Sequence, residues 1–320
     1  MTTSISLPFK PGRIVISHIL HREIVEYLRQ RRPDLDISGG SPESLADIDL
    51  SNVDVLIGFK RPAHARDMGG VRWVHSSGAG VDGWLGTPAL DESILLTRSP
   101  ELFGVPIAEW VVARMLAMQQ QILPLYRDQQ QSRWLPREIG QVAGSHAVLV
   151  GAGDIGRGIA KLLAALNVEC VGVSRSGKSS SEYFREMHTP DALGELVKHC
   201  NWLITCVPDT VQTRGMISRE VLAQCNNVSF INCGRGSVVD EAAIPEALDK
   251  GWLKAVALDV FQKEPLPAES PLWRDDRVMI SPHISGLTTV KGAADGFLDC
   301  LESLERGEIP RWAIDRSRQY

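Results

Sequence analysis

The sequence predicts an α/β protein of two domains, the second of them a doubly wound parallel sheet. Three observations carry this. Short β-branched and apolar runs alternate with amphipathic stretches along most of the chain; six such runs succeed one another between residues 146 and 280; and the first of those six opens onto a glycine-rich turn. With 320 residues, 43% of them hydrophobic, the chain is long enough to build two separate cores.

Taken in order, strands are expected at 13–17, 53–57, 72–75 and 94–97, with an amphipathic helix over 19–31. A long helical pattern then runs over 107–134 and links the domains. Pro124 lies inside it, has no backbone N–H and clashes with the turn before it, so a kink or break is expected there. The clearer series starts at His146, with strands at 147–150, 169–173, 202–206, 228–232, 255–259 and 278–280 separated by helices. Apolar strands alternating with helices imply a parallel sheet covered on both faces, and right-handed crossovers make it doubly wound. A last helix over 288–306 follows the sixth strand. The chain carries no internal repeat, low-complexity tract or block of like charge.

A formal charge of −5 offers no general attraction to nucleic acid or anionic lipid, so neither is expected as a partner. The longest apolar stretch in a candidate helix, 110–118, is interrupted by Arg114 and is well short of the roughly 20 residues that span a bilayer. The N-terminus lacks the basic stretch and apolar run of a secretory signal, so export is not expected. Six cysteines occur without a C-x-x-C pair, and Cys170, Cys206 and Cys233 sit in apolar strand-like runs, which fits reduced thiols in a cytoplasm. His and Cys are not clustered at ligand spacing, and no metal is expected. The partners to look for are small molecules.

Gly151, Gly153 and Gly156, with Asp154 and Ile155 between them, form a G-x-G-x-x-G spacing set between a strand and a helix. The first glycine permits a tight turn, the second lets the backbone approach a pyrophosphate, and the third lets helix and strand pack closely. The helix N-terminus then turns free N–H groups and a partial positive charge toward the phosphates. An NAD site usually carries an acid about twenty residues on, to hold the ribose 2′-hydroxyl. Here the stretch reads Ser174, Arg175, Ser176, Gly177, Lys178, with hydroxyls and two cations in place of an acid, and Arg175 can grip a phosphate through two hydrogen bonds. NADP is therefore expected as cofactor, with NAD possible. The other reading of 174–178 is a solvated basic loop.

Three further segments are Ile231-Asn-Cys-Gly-Arg-Gly-Ser-Val-Val-Asp-Glu, Ala257-Leu-Asp-Val-Phe-Gln-Lys-Glu-Pro-Leu-Pro and Ser281-Pro-His-Ile-Ser-Gly. With the glycine fingerprint, and in this order and spacing, they resemble the D-isomer-specific 2-hydroxyacid dehydrogenases, particularly the glyoxylate and hydroxypyruvate reductase branch. The resemblance covers nearly the whole chain. It implies a catalytic trio of Arg235, Glu264 and His283. Arg235 would bind the carboxylate of a 2-oxoacid and polarise its ketone. His283 would give a proton to the alkoxide left by hydride delivery, and Glu264 would orient the imidazole and favour its protonated form.

The same resemblance places Asp259 at the nicotinamide carboxamide, and Cys206, Val207, Pro208, Cys233, Gly234, Ser285 and Gly286 along the cofactor beside His283. In the N-terminal part, the amides of Ala79 and Gly80 would receive the substrate carboxylate; a plain glycine turn is the alternative there. Phe59 and Lys60 would line the substrate pocket or lie on the surface, and Trp84 and Trp134 have no assigned place. His18, His21, His64, His146, His188 and His199 read as surface or element-end residues, and His75 is left open.

As implied by the family, residues 103–285 form a Rossmann cofactor domain, while 1–102 with 286–320 form a flavodoxin-like substrate domain. Substrate would bind in the cleft between them, with hinge closure excluding water. Family members usually form homodimers through the segment after Phe103. The expected activity is hydride transfer from NAD(P)H to small 2-oxoacids such as glyoxylate or hydroxypyruvate. The competing readings are a biosynthetic enzyme resembling D-3-phosphoglycerate dehydrogenase and a non-catalytic NAD(P)-sensing interaction protein. Formate dehydrogenase, which typically has glutamine where Glu264 stands, is disfavoured.

Overall fold

The structure is a computed structural model that describes residues 5–64, 68–86, 89–99 and 103–317. Its elements, in order, are β1 (Arg13–Ser17), α1 (His21–Arg31), β2 (Asp36–Gly40), β3 (Val55–Gly58), β4 (Trp73–Ser76), α2 (Asp82–Leu85), β5 (Leu95–Arg98), α3 (Gly104–Gln119), α4 (Ile122–Gln130), β6 (His146–Val150), α5 (Asp154–Ala165), β7 (Glu169–Val173), β8 (Glu186–His188), α6 (Leu193–Leu196), β9 (Trp202–Thr205), α7 (Arg219–Leu222), β10 (Val228–Asn232), α8 (Ile244–Asp249), β11 (Leu253–Leu258), β12 (Val278–Ile280) and α9 (Val290–Glu305). They gather into two compact units, Met1–Leu102 with Leu287–Tyr320, and Phe103–Gly286. Residues 100–102, just before the crossing, and 1–4 of the N-terminal reading lie outside the described residues.

In the first unit the described strands form one sheet in the order β2-β1-β3-β4-β5, all pairs parallel. The period of two along each strand sorts its side chains to opposite faces. Ile14, Ile16, Val55, Ile57 and Trp73 point to the face covered by Ile24 and Leu28 of α1 and by Phe297, Leu301 and Leu304 of α9. Val15, Leu56, Val74 and Leu96 build the other face with Trp84 and Leu90. Strand β2 was not expected from sequence. Its residues, Asp-Ile-Ser-Gly-Gly, have poor strand propensity, and it forms because β1 offers a free edge in register, Arg13 opposite Asp36.

Within β4 the fully buried His75 is hydrogen-bonded at both nitrogens, Nδ1 to Thr97 Oγ1 at 2.7 Å and Nε2 to Ser99 Oγ at 2.9 Å. Ser99 gives its hydrogen to the Ala293 carbonyl of α9, so it accepts from Nε2–H; Thr97 accepts from Trp73 Nε1 and donates to Nδ1. The chain of donors fixes a neutral ring, and burial pushes its pKa down to about 3.

The second unit holds the order β12-β11-β10-β9-β6-β7-β8, again all parallel. Strands β9 and β10 are buried at every residue, the mark of a sheet covered on both faces. The order reverses between β6 and β9, and in open α/β sheets the crevice at the carboxyl ends of such a pair is where ligands bind. The short β8 exceeds the six expected strands; it is a charged edge strand without an apolar run. The expected 107–134 helix is divided. α3 stops at Gln119, Gln121 takes a left-handed backbone (φ 52), and Pro124 is the third residue of α4, where its missing N–H leaves no bond unmade. α3 lies so close to α5 that a Cβ on Gly158 would stand 2.6 Å from the Gly104 carbonyl. No described helix is long and apolar enough to cross a membrane.

Candidate active site

The glycine turn after β6 has the shape a dinucleotide requires. Gly151 has φ 111, which L side chains rarely adopt, and a Cβ on Gly156 would sit 1.9 Å from the Gly151 carbonyl, so neither position admits a side chain. At Gly153 an added Cβ would meet nothing within 4 Å, leaving an open face at the N-terminus of the twelve-residue α5. The Cys206 thiol donates to the Gly151 carbonyl (3.3 Å) and braces the turn from β9, while burial pushes its pKa up to about 12, so it acts as a packed thiol and not as a nucleophile. Asp154 forms an ion pair with Arg157 on the first turn of α5.

After β7, Ser174 Oγ donates to the Lys178 carbonyl (3.0 Å) and accepts from the Lys178 N–H (3.2 Å), with Gly177 at φ 63 between them. Its hydroxyl therefore closes the loop, and Arg175 and Ser176 stand exposed on the loop's crest.

The expected catalytic residues come from three successive loops at the carboxyl ends of β10, β11 and β12. Asn232, the last residue of β10, is fully buried. Its Oδ1 accepts from Thr205 Oγ1 (2.8 Å) and the Gly234 N–H (3.0 Å), and its Nδ2 donates to the Arg235 carbonyl (2.9 Å). One amide side chain thus sets the turn that carries Cys233, Gly234 and Arg235. The Arg235 guanidinium donates to the Gly234 carbonyl (2.8 Å). A Cβ at Gly234 would lie 2.7 Å from the Val207 carbonyl, and one at Gly236 would lie 1.8 Å from the Phe261 carbonyl carbon. The loops after β9, β10 and β11 are thus in backbone contact, next to Pro208 in the first of them.

Glu264 and His283 meet directly, Nδ1 to Oε2 at 2.9 Å, both side chains partly exposed. The other Glu264 oxygen accepts from the Phe261 N–H at 3.0 Å. Burial pulls the Glu264 pKa upward, but the hydrogen bonds from His283 and Phe261 and the neighbouring His283 and Arg235 outweigh it and hold the carboxyl below its ordinary value. An ionised Glu264 requires the hydrogen on Nδ1, which leaves Nε2 as the nitrogen not engaged by the carboxylate.

His283 has a left-handed backbone (φ 54), a conformation few non-glycine residues take. Asp259, fully buried at the end of β11, holds it there. The Asp259 carbonyl accepts from the His283 N–H (2.8 Å), Oδ1 accepts from Ser281 Oγ (2.5 Å) and the Ile284 N–H (2.9 Å), and Oδ2 accepts from the Ser285 N–H (2.8 Å). Among the described residues Oδ2 meets one donor, the Ser285 N–H. Gly286 ends this loop against Ile107 and Phe103, where a Cβ would come within 2.9 Å.

In the first unit, Ala79 and Gly80 follow β4. Their carbonyls are engaged, Gly80 by Ser76 Oγ (2.6 Å) and Ala79 by Arg98 (3.1 Å), while neither amide meets an acceptor among the described residues. Phe59 and Lys60, after β3, are exposed. Trp84 is a core residue whose Nε1 donates to the Gly58 carbonyl (3.0 Å), and Trp134 is 96% exposed. His18 follows β1 directly, an element-end position, and is buried there.

Asn232 and Gly236 are site residues the sequence reading left out. The signal was present, since both lie within the quoted 231–241 segment, but a buried amide that shapes a turn has no spacing of its own to announce it.

Residues 112–285 match the family model described as D-isomer specific 2-hydroxyacid dehydrogenase, NAD binding domain. A glyoxylate/hydroxypyruvate reductase A of Salmonella paratyphi B is 34% identical over 258 residues, spanning 77% of this chain and 81% of the relative. Among solved structures, a D-isomer specific 2-hydroxyacid dehydrogenase from Xanthobacter autotrophicus Py2 in complex with NADPH and MES superposes with a TM-score of 0.86 at 29% identity, covering 97% of this chain and 100% of that one. An NADPH-dependent glyoxylate/hydroxypyruvate reductase from Sinorhizobium meliloti in complex with NADP and sulfate gives 0.85 at 26% identity, with the same coverage.

Proposed function

We propose, from the premise that the chain belongs to the D-isomer specific 2-hydroxyacid dehydrogenase family, that it reduces small 2-oxoacids to D-2-hydroxyacids with NADPH, glyoxylate and hydroxypyruvate foremost among them. The observation that carries catalysis is the Glu264–His283 pair, held by Asp259 on one side and facing the Arg235 turn on the other. A protein that only sensed the dinucleotide would have no use for a base so oriented.

The nicotinamide, when bound, supplies the hydride. Everything else falls to the chain. Arg235 binds the substrate carboxylate and polarises its ketone oxygen. His283 gives the proton at Nε2 to the forming alcohol while Glu264 keeps Nδ1 hydrogen-bonded, so the ring does not turn as its charge changes. The loop 174–178, with cations and without an acid, supports NADP over NAD. Ile122, Leu123, Tyr126, Trp134, Leu135 and Ile139 are exposed along α4 and the stretch after it, which supports a homodimer through this face.

The test is initial rates of NADPH and NADH oxidation with glyoxylate, hydroxypyruvate, pyruvate and an aromatic 2-oxoacid. Faster turnover with NADPH on glyoxylate and hydroxypyruvate is expected. A preference for NADH would remove the cofactor assignment, and turnover confined to the aromatic acid would remove the substrate class.

A further inference from the structure

The loop after β7 folds back over the fingerprint helix. Between them is an open cavity of about 560 Å³, walled by Arg157 and Lys161 of α5 and by Ser180, Ser181, Glu182 and Tyr183 of the loop. Two cations and three hydroxyls outweigh the one carboxylate, so the cavity favours an anion with several acceptor oxygens. Arg157 is set for that task. One guanidinium nitrogen pairs with Asp154, which keeps the group over the first turn of α5, where the helix dipole also favours negative charge. The other lies 3.5 Å from Ser180 Oγ, at the outer limit of a hydrogen bond and with capacity to spare.

Nearer the end of β7 the donors are fewer than the residue types suggest. Ser174 spends its only hydrogen on the Lys178 carbonyl. Arg175 and Ser176 are exposed on this loop, and the ion pair with Asp154 gives the half-buried Arg157 a defined position of its own on the α5 side.

We propose that Arg157 selects NADP over NAD by binding the 2′-phosphate from the α5 side of this cavity, with Ser180 as a second donor. This rests on the reading of the chain as an NADP enzyme and names the residue that gives it that preference. The 2′-phosphate carries close to two negative charges and accepts the planar fork of a guanidinium at two oxygens; the neutral hydroxyl of NAD gains nothing from it.

The experiment is calorimetric titration of the full chain with NADPH, NADH, 2′,5′-ADP, 5′-AMP and inorganic phosphate, for wild type, R157Q, R157K and R175Q. The wild type is expected to bind 2′,5′-ADP at least about tenfold more tightly than 5′-AMP, and R157Q to shrink that ratio roughly five- to tenfold. R157K should recover part of it. Taking the ratio cancels any effect of the freed Asp154 carboxylate on the dinucleotide as a whole, and circular dichroism checks that each variant is folded. A wild type that prefers NADPH, with a ratio unchanged in R157Q and lost in R175Q, overturns the assignment of Arg157 and leaves the cofactor reading standing. A wild type without preference for the phosphorylated forms overturns both. Inorganic phosphate binding as tightly as 2′,5′-ADP would make the cavity an independent anion site and also overturn the proposal.

Discussion

His283 keeps an uncommon backbone conformation because Asp259 takes four donors of the surrounding loop into its carboxylate and carbonyl: Ser281 Oγ and the N–H groups of His283, Ile284 and Ser285. Hydrogen bonds to a charged group contribute about 1.5–3 kcal/mol each, enough to hold a loop that would otherwise relax. Two substitutions separate chemistry from positioning. His283→Ala should lower kcat by roughly 10²–10⁴ and leave the NADPH Kd within about threefold, since it removes the proton donor alone. Asp259→Asn should lower kcat by roughly 10- to 100-fold with a smaller change in substrate KM, because it loosens the donor's placement. An Asp259→Asn enzyme with full kcat would show that His283 stands without this support. Arg235, Glu264 and His283 were legible as candidates in the sequence because their segments have a characteristic order, and the structure brings Glu264 and His283 into contact. The service of Asn232 and Asp259 was not, because it lies in where a buried acceptor points.

At the scale of elements, glycine decides how tightly α3 and α5 can pack. Gly158 Cβ would lie 2.6 Å from the Gly104 carbonyl and 2.8 Å from its Cα, backbone atoms that cannot rotate away. Gly158→Ala should therefore cost about 1–3 kcal/mol of stability despite its better helix propensity, read as a lowered urea midpoint, and should weaken cofactor binding by displacing the helix that carries the glycine turn. An unchanged midpoint would mean the two helices have room to part. The strands with strong apolar runs were legible to within a residue or two, as at 169–173, 228–232 and 278–280. β2 and β8 were not, since each is short, polar and made by its neighbour's free edge. The break at Gln121 was expected from Pro124, though the proline begins the second helix there and does not end the first.

For the molecule as a whole, the buried His75 ties stability to pH. Its pKa in the folded protein is about 3, against an ordinary 6.5, so the unfolded chain takes up a proton that the folded one refuses. The contribution is complete above pH 6.5 and is lost as pH falls toward 3, at about 1.4 kcal/mol per unit. Urea unfolding should show the wild type losing ~2 kcal/mol more than a His75→Asn variant between pH 6.5 and pH 5. Parallel slopes for the two proteins would place the acid sensitivity elsewhere.

That same histidine's network also sets an order of events at the ribosome. Ser99 bonds to the Ala293 carbonyl across 194 residues of sequence, and Phe297, Leu301 and Leu304 close the core over the five strands of the first sheet. At 5–20 residues per second, translation takes about 10–40 s to pass from one partner to the other. The first-made segment must wait, its apolar face uncovered, while the whole of the 103–286 unit emerges and can fold. A nascent chain stalled before residue 290 is then the species a chaperone would hold, and the half synthesised first is the half finished last.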